Sequence, residues 1–328
     1  MNVYISYIAL FGLLVVIELL YFRIANRFNI VDKPNSRSSH NTIIVRGGGI
    51  IFLLGYWIGS LLFNIHYPWF LIGLTLVCIV SFIDDLHSLP DSVRLVTQFA
   101  GMFLMLIDLG IVTTDYWWLI IITMIVGVGI INAYNFMDGI NGITGGYSLA
   151  ILIPLIVINS TLHFIEQSYL IIATISCFVF CFFNFRPKGK AKCFAGDVGS
   201  IGIAFILLFP IGKLMLNTHN LTYILLLAVY GVDSILTICH RIMLHENLGQ
   251  AHRKHAYQLM ANELKIPHEV VSLCYTALQL AISFGLIYMI KYDWIFSVCI
   301  ILVLCGAYIW FMKRYYPLHE EYLKSIKN

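Results

Sequence analysis

The sequence predicts an all-α polytopic membrane protein. Of its 328 residues 60% are hydrophobic and only 11% are charged, whereas a soluble domain carries about a quarter charged residues. Mean hydropathy is +0.86. Apolar stretches of bilayer length recur along the whole chain and consume length that could hold two soluble domains, so residues 1–328 read as one integral membrane domain. A net charge of +3 is too small to point to nucleic acid.

At about 20 residues per span, eleven segments qualify: 3–22, 47–65, 67–83, 93–112, 116–133, 146–162, 169–185, 198–216, 221–240, 269–290 and 294–312. Their connections alternate in charge. Those at 66–67, 113–115, 217–220 and 291–293 are short and nearly free of positive charge. The others carry Arg23, Arg27, Lys33, Arg37 and Arg46, then Arg94, then Arg186, Lys188, Lys190 and Lys192, then Arg241, Arg253, Lys254 and Lys265. Lys313, Arg314, Lys324 and Lys327 follow the last span, and only Lys213 and Lys291 fall on the opposite side. The positive-inside rule makes the basic set cytoplasmic, with the N-terminus outside and the C-terminus inside, an orientation that an odd number of spans satisfies.

Smaller features have packing explanations. Trp57, Trp69, Trp117, Trp118, Trp294 and Trp310 fall mostly near span ends, as interfacial anchors do. Gly55 and Gly59 form a GxxxG suited to close helix contact. Pro154 and Pro210 are expected to kink their helices. The eight cysteines form no CxxC or CxxH pair, which indicates neither a zinc site nor a disulfide framework. No basic residue precedes the first apolar run and no small-residue cleavage site follows it, so it reads as a span rather than a signal peptide.

The stretch 130–146, IINAYNFMDGINGITGG, breaks the apolar pattern. Asn132, Asn135, Asp138 and Asn141 are three residues apart, which a helix would place along one drifting face. Gly139, Gly142, Gly145 and Gly146 require an opening into a turn. Other carboxylates gather on the same predicted face: Asp84 and Asp85 end the third span, Asp91 follows, and Asp197 stands in FAGDVGS at the mouth of the eighth. Two bare carboxylates 4 Å apart repel by about 4 kcal/mol at an effective dielectric of 20. If Asp84, Asp85, Asp138 and Asp197 converge, a divalent cation is the natural compensation, and hard oxygen ligands favour Mg²⁺ or Mn²⁺.

Basic groups accompany the carboxylates. Gly-Asp-Val-Gly-Ser can present backbone N–H groups after a loop rich in lysine, and Arg46 precedes Gly47–Gly49 in the same manner; both suit a phosphate or diphosphate. His252 and His255 would share a face if helical, flanked by Arg253 and Lys254, and beside those charges an anionic substrate is favoured over zinc. Asp233, two residues after Gly231, suggests that the ninth helix breaks there.

In this order and on one membrane face, these pieces resemble the polyprenyl-phosphate N-acetylhexosamine-1-phosphate transferases (glycosyltransferase family 4), which start bacterial O-antigen, teichoic acid and peptidoglycan lipid intermediates. The resemblance rests on DKPNSRSSH (32–40) with Arg46-Gly-Gly-Gly, the Asp84–Asp85 pair, NAYNFMDGING (132–142), GDVGS (196–200), DSILT (233–237) and the histidine loop. It implies Mg²⁺-dependent transfer of a sugar-1-phosphate from a UDP-N-acetylhexosamine to undecaprenyl phosphate at the cytoplasmic face of the bacterial inner membrane, with UMP released. By the same matching, Asp197 holds the metal, Asp84 or Asp85 lies at the lipid phosphate and is a candidate base, and Asp138 joins the catalytic set. Arg46, Arg94, Asn132, Asn135, Asn141, Asn184, His252, Arg253 and His255 meet the substrates, Asn184 near the uridine and Arg94 near the phosphates. A homodimer is compatible with this reading.

The chain departs from the family pattern at Asn141, where a second Asp is usual, at Ile43–Val45, where Thr-Pro is common, and in the loop before GDVGS, which is longer than in many relatives. AHRKHAYQ is similar to the O-antigen-initiating branch, whose donors are GlcNAc or deoxy sugars such as FucNAc and QuiNAc. The alternatives are a secondary transporter, which would place charges near the midplane in repeated halves, and a non-catalytic relative.

Overall fold

The computed structural model describes residues 3–32, 44–112, 117–250 and 252–327, with side chains through Tyr322. Most of the 32–40 motif and the 113–115 connection therefore lie outside the described residues. The architecture is all-α. In order, the helices are α1 (Val3–Arg27), α2 (Ile50–Phe63), α3 (Pro68–Leu86), α4 (Asp91–Asp108), α5 (Trp117–Phe136), α6 (Ile143–Leu162), α7 (Gln167–Asn184), α8 (Gly196–Thr218), α9 (Ala228–Met243), α10 (Ala256–Asn262), α11 (His268–Tyr288) and α12 (Asp293–Lys327). Each of the eleven expected segments is thus helical. Nine membrane-length apolar helices occur among the described residues, one of them formed by α9 with the 3₁₀ turn Leu221–Leu227 before it. Of the other two, α2 has only 14 residues and α4 carries Asp91, Arg94 and Asp108.

Several ends move for identifiable reasons. The first helix continues to Arg27, past the expected 22, because no breaker intervenes before Asn29 turns left-handed at φ 55°. The second starts late because the Gly48 and Gly49 N–H groups donate to the Phe194 and Ala195 carbonyls instead of to a phosphate. The ninth helix does not break at Gly231–Asp233. Its irregular part is the 3₁₀ turn one to two helical turns earlier, and α9 runs regularly through Asp233. The last helix runs far beyond the expected 312.

The centre of the molecule is α8, enclosed by α3, α5, α2 and α6. Small residues let it approach its neighbours: a Cβ built on Gly49 would lie 2.1 Å from the Gly199 Cα. Pro210 cannot donate to the Ile206 carbonyl, and the buried Tyr169 hydroxyl does so at 2.9 Å. By contrast α1, α5 and α12 expose apolar faces, including Ile8, Ile125 and Leu302, as bilayer-facing helices do. A short antiparallel ribbon, β1 (Val31–Asp32) with β2 (Ile44–Val45), pairs Val31 with Val45. Val45 also bridges Cys193. The ribbon therefore fixes Arg46 beside the start of α8.

Candidate active site

Asp84 and Asp85 end α3 as buried side chains, and Asp85 caps α8 across 112 residues of sequence. Its Oδ1 accepts the Asp197 N–H at 3.0 Å and its Oδ2 the Val198 N–H at 3.1 Å. Arg46 Nε lies 2.8 Å from the same Oδ1. The amides expected to cradle phosphate thus receive a carboxylate of the protein itself, the favourable partner for a helix N-terminus. Gly196 is held at φ 69°, and a Cβ there would meet Asp85 Oδ2 at 2.5 Å.

Asp84 accepts the Leu89 N–H at 2.5 Å and Arg94 Nη1 at 3.0 Å. Arg94 also reaches Asp91 at 2.6 Å and Asp197 at 3.5 Å. Arg94 Nη1 thus holds the Asp84 and Asp197 carboxylates together, 3.0 and 3.5 Å from it, a pairing that a shared proton or a cation would relieve further. When ionised, the buried Asp84, Asp85 and Asp197 outnumber Arg46 and Arg94 by one charge, and the exposed Asp91 adds another at the edge. No group of three His, Cys, Asp or Glu side chains among the described residues is placed to hold a metal alone. Asp197 is the carboxylate most open to a cation: both Asp85 oxygens receive backbone N–H groups, and Asp84 could add an oxygen where Arg94 releases it.

Arg94 joins this cluster to a cavity of ≈ 500 Å³ lined by Asp91, Asn132, Phe136, Leu248–Gln250, His252 and His255. Asn132 is held by the buried Gln98, accepting from its Nδ2 at 2.6 Å. Asn135 accepts the Ser200 hydroxyl at 2.8 Å, tying α5 to the GDVGS turn. The expected polar row is split, because α5 ends at Phe136 and Asp138 and Asn141 fall in the following turn. The histidine loop is not helical either: His255 is the N-cap of α10 in extended geometry, yet the two rings are 5.0 Å apart. Burial, with His255 and Arg241 nearby, pushes His252 down to about 3, so it is neutral at pH 7.

Asp233 orients His255. Its Oδ1 accepts from His255 Nδ1 at 3.2 Å and from the Ala256 N–H at 3.1 Å, and its Oδ2 accepts the Tyr275 hydroxyl at 2.7 Å. The buried His255 Nε2 has no hydrogen-bond partner among the described residues, and His255 lines the cavity. Arg253 does not. It turns to Tyr322 and Glu263 and borders a different, basic pocket with Lys188 and Lys265.

Two expected substrate ligands are buried latches. Asn184 Oδ1 accepts the Gly142 N–H at 2.7 Å, and its Nδ2 donates to the Cys193 carbonyl at 2.8 Å. Asn141 Nδ2 donates to the carbonyls of Arg186 at 2.9 Å and Pro187 at 3.2 Å. A carboxylate there would face two carbonyl oxygens, so Asn141→Asp is expected to lower stability by about 1–3 kcal/mol without raising turnover. Thermal unfolding in detergent checks this.

Asp138 accepts the Thr144 hydroxyl at 2.5 Å, but burial first and then Asp85 push its pKa up to about 6. The folded state therefore binds more protons than the unfolded chain between pH 4 and 6, as an unperturbed Asp titrates at about 3.9. This group's contribution to stability consequently falls as pH rises through that window. Asp138→Asn is expected to raise the unfolding temperature at pH 7–8 and not at about pH 4. A pH series of melting curves tests the sign.

Residues 67–212, from α3 through the GDVGS turn to most of α8, match the family model for glycosyl transferase family 4. That match and the following relatives support the polyprenyl-phosphate N-acetylhexosamine-1-phosphate transferase family for this chain. It is 27% identical to a probable undecaprenyl-phosphate N-acetylglucosaminyl 1-phosphate transferase of Bacillus subtilis, over 73% of this chain and 72% of that one. Undecaprenyl-phosphate α-N-acetylglucosaminyl 1-phosphate transferases of Yersinia pestis and Escherichia coli O157:H7 are each 24% identical. The first alignment covers 73% of this chain and 71% of the relative, the second 93% and 89%. In this chain, residues beyond the sequence motifs also shape the site: Gln98 behind Asn132, and Leu248–Gln250 as a wall. Gln98 lies one turn after Arg94, which is the only sequence signal it gives.

Proposed function

We propose that this transferase moves a HexNAc-1-phosphate from its UDP-sugar to undecaprenyl phosphate, giving undecaprenyl-diphosphate-HexNAc and UMP. The donor is UDP-GlcNAc or a deoxy sugar such as UDP-FucNAc or UDP-QuiNAc, and the product starts O-antigen or a related surface glycan. The basic loops support a site on the cytoplasmic face. One observation supports the reading: Arg94 bridges the Asp84–Asp197 carboxylate cluster and a cavity bearing two histidines, at the ends of apolar helices.

The donor set fits Mg²⁺, which takes one or two carboxylates and fills its sphere with water and substrate phosphates. Asp197 would hold it with Asp84, and when bound it supplies neutralisation of charge developing on the diphosphate. Arg94 can exchange a carboxylate for a phosphate oxygen as the donor enters, its planar fork suiting both. Asn132, His252 and His255 line the space beside it. Asp85 accepts three N–H donors, which makes it an anchor for α8 rather than a base. A lipid monophosphate, with a second pKa of about 6, is already largely dianionic at neutral pH, so attack needs alignment and charge neutralisation more than deprotonation.

Incubation of the purified protein with undecaprenyl phosphate, Mg²⁺ and a panel of UDP-HexNAc donors is expected to yield UMP with one or a few of them. Folded protein that releases no UMP with any donor would count against the reading.

A further inference from the structure

We infer that the last turns of α12 hold the histidine loop in place, with Tyr316 and His319 as positioning residues for the wall of the cavity. The helix passes its expected end and lies against the loop. His319 Nδ1 is 2.7 Å from Glu263 Oε1, just after α10. Tyr316 packs edge-on against His240 at 4.5 Å, and Lys254 Nζ lies 5.6 Å from the Tyr316 ring centroid. Arg253 stands 5.2 Å over Tyr322. These contacts leave Lys254 only 7% and His319 only 2% exposed.

The apolar packing agrees. Tyr308, Phe311, Met312 and Tyr316 of α12 form a small core with Val232 of α9 and with Ala256 and Leu259 of α10, separate from the main core around α8. The short helix that follows His255 therefore takes part of its burial from α12. A second route runs at the depth of α9: the Tyr308 hydroxyl lies 2.8 Å from Thr237 Oγ1, and Thr237 donates to Asp233, which orients His255. On the near side Arg241 donates to the carbonyls of Asn247, Leu248 and Gln250. One side of the loop is thus fastened by α9 and the other by α12. Loss of the α12 side frees His252–His255 without touching the carboxylate cluster.

The effect on turnover rests on the function proposed above, but the clamp does not, so the test has two readouts. Full-length wild type, Y316A/H319A and the conservative Y316F/H319N are digested with trypsin, and cleavage after Arg253 and Lys254 is followed by mass spectrometry. UMP formation is measured on the same samples. Cleavage that requires local opening tracks the open population, and the alanine pair is expected to speed it by about tenfold. It should also raise the KM for the UDP-sugar more than it lowers kcat, with the conservative pair restoring both. Cleavage rates equal to wild type in the alanine pair overturn the clamp. Faster cleavage with unchanged KM overturns the positioning role. If wild type makes no UMP with any donor, the functional reading fails while the cleavage rates still decide the clamp.

Discussion

Asp197→Asn is expected to fold normally and to lower UMP formation by about 10²–10³-fold, the usual cost of removing one group that stabilises transition-state charge. Folding should survive because the contribution of residue 197 to the start of α8 is its backbone N–H on Asp85, which Asn retains. The side chain faces Arg94 and, across it, Asp84, and an amide can donate to Asp84. On the proposed function, what would be lost is a negative oxygen available to Mg²⁺. The apparent Mg²⁺ requirement should therefore rise, and saturating Mg²⁺ should not restore turnover. A titration of turnover against Mg²⁺ reads both. Turnover close to wild type would remove Asp197 from the reaction and shift attention to Asp84 alone.

The fold class was legible because bilayer thickness imposes a length and a composition that few other structures share. Helix ends were less so: the positive-φ Asn29 ends α1 locally, but α12 continues past 312 because Tyr316 packs on His240 of α9 and His319 on Glu263 at the end of α10, a tertiary effect. The carboxylate cluster was legible as a list of residues and not as an arrangement. Asp85, read as a substrate-facing acid, is consumed as a helix cap. Asn141 and Asn184, read as ligands, are spent on backbone carbonyls and an amide of adjoining turns. An asparagine pattern gives the same signal for a ligand and a latch, since either use needs one donor and one acceptor. His252 and His255 reach one cavity without sharing a helix, because an extended N-cap residue can bring neighbouring rings together as well as a helical turn does.

Arg94→Ala is the complementary experiment, because it changes the charge in the opposite direction. Among the described residues the guanidinium contacts Asp84 and Asp197 and also lines the cavity. Its removal leaves two neighbouring carboxylates without their organic cation, so a bound Mg²⁺ becomes more strongly favoured electrostatically. Turnover is nevertheless expected to fall by about 10²–10³-fold, since the diphosphate loses its fixed donors. Arg94→Lys restores a charge but not a planar fork that can engage several oxygens at once, and should recover only part of that loss. The two variants at positions 94 and 197 therefore share a large loss of turnover but move the apparent Mg²⁺ requirement in opposite directions, downward for Arg94→Ala and upward for Asp197→Asn. Movement in the same direction for both would mean that the arginine and the aspartate act as a structural pair, and that the cation is held elsewhere.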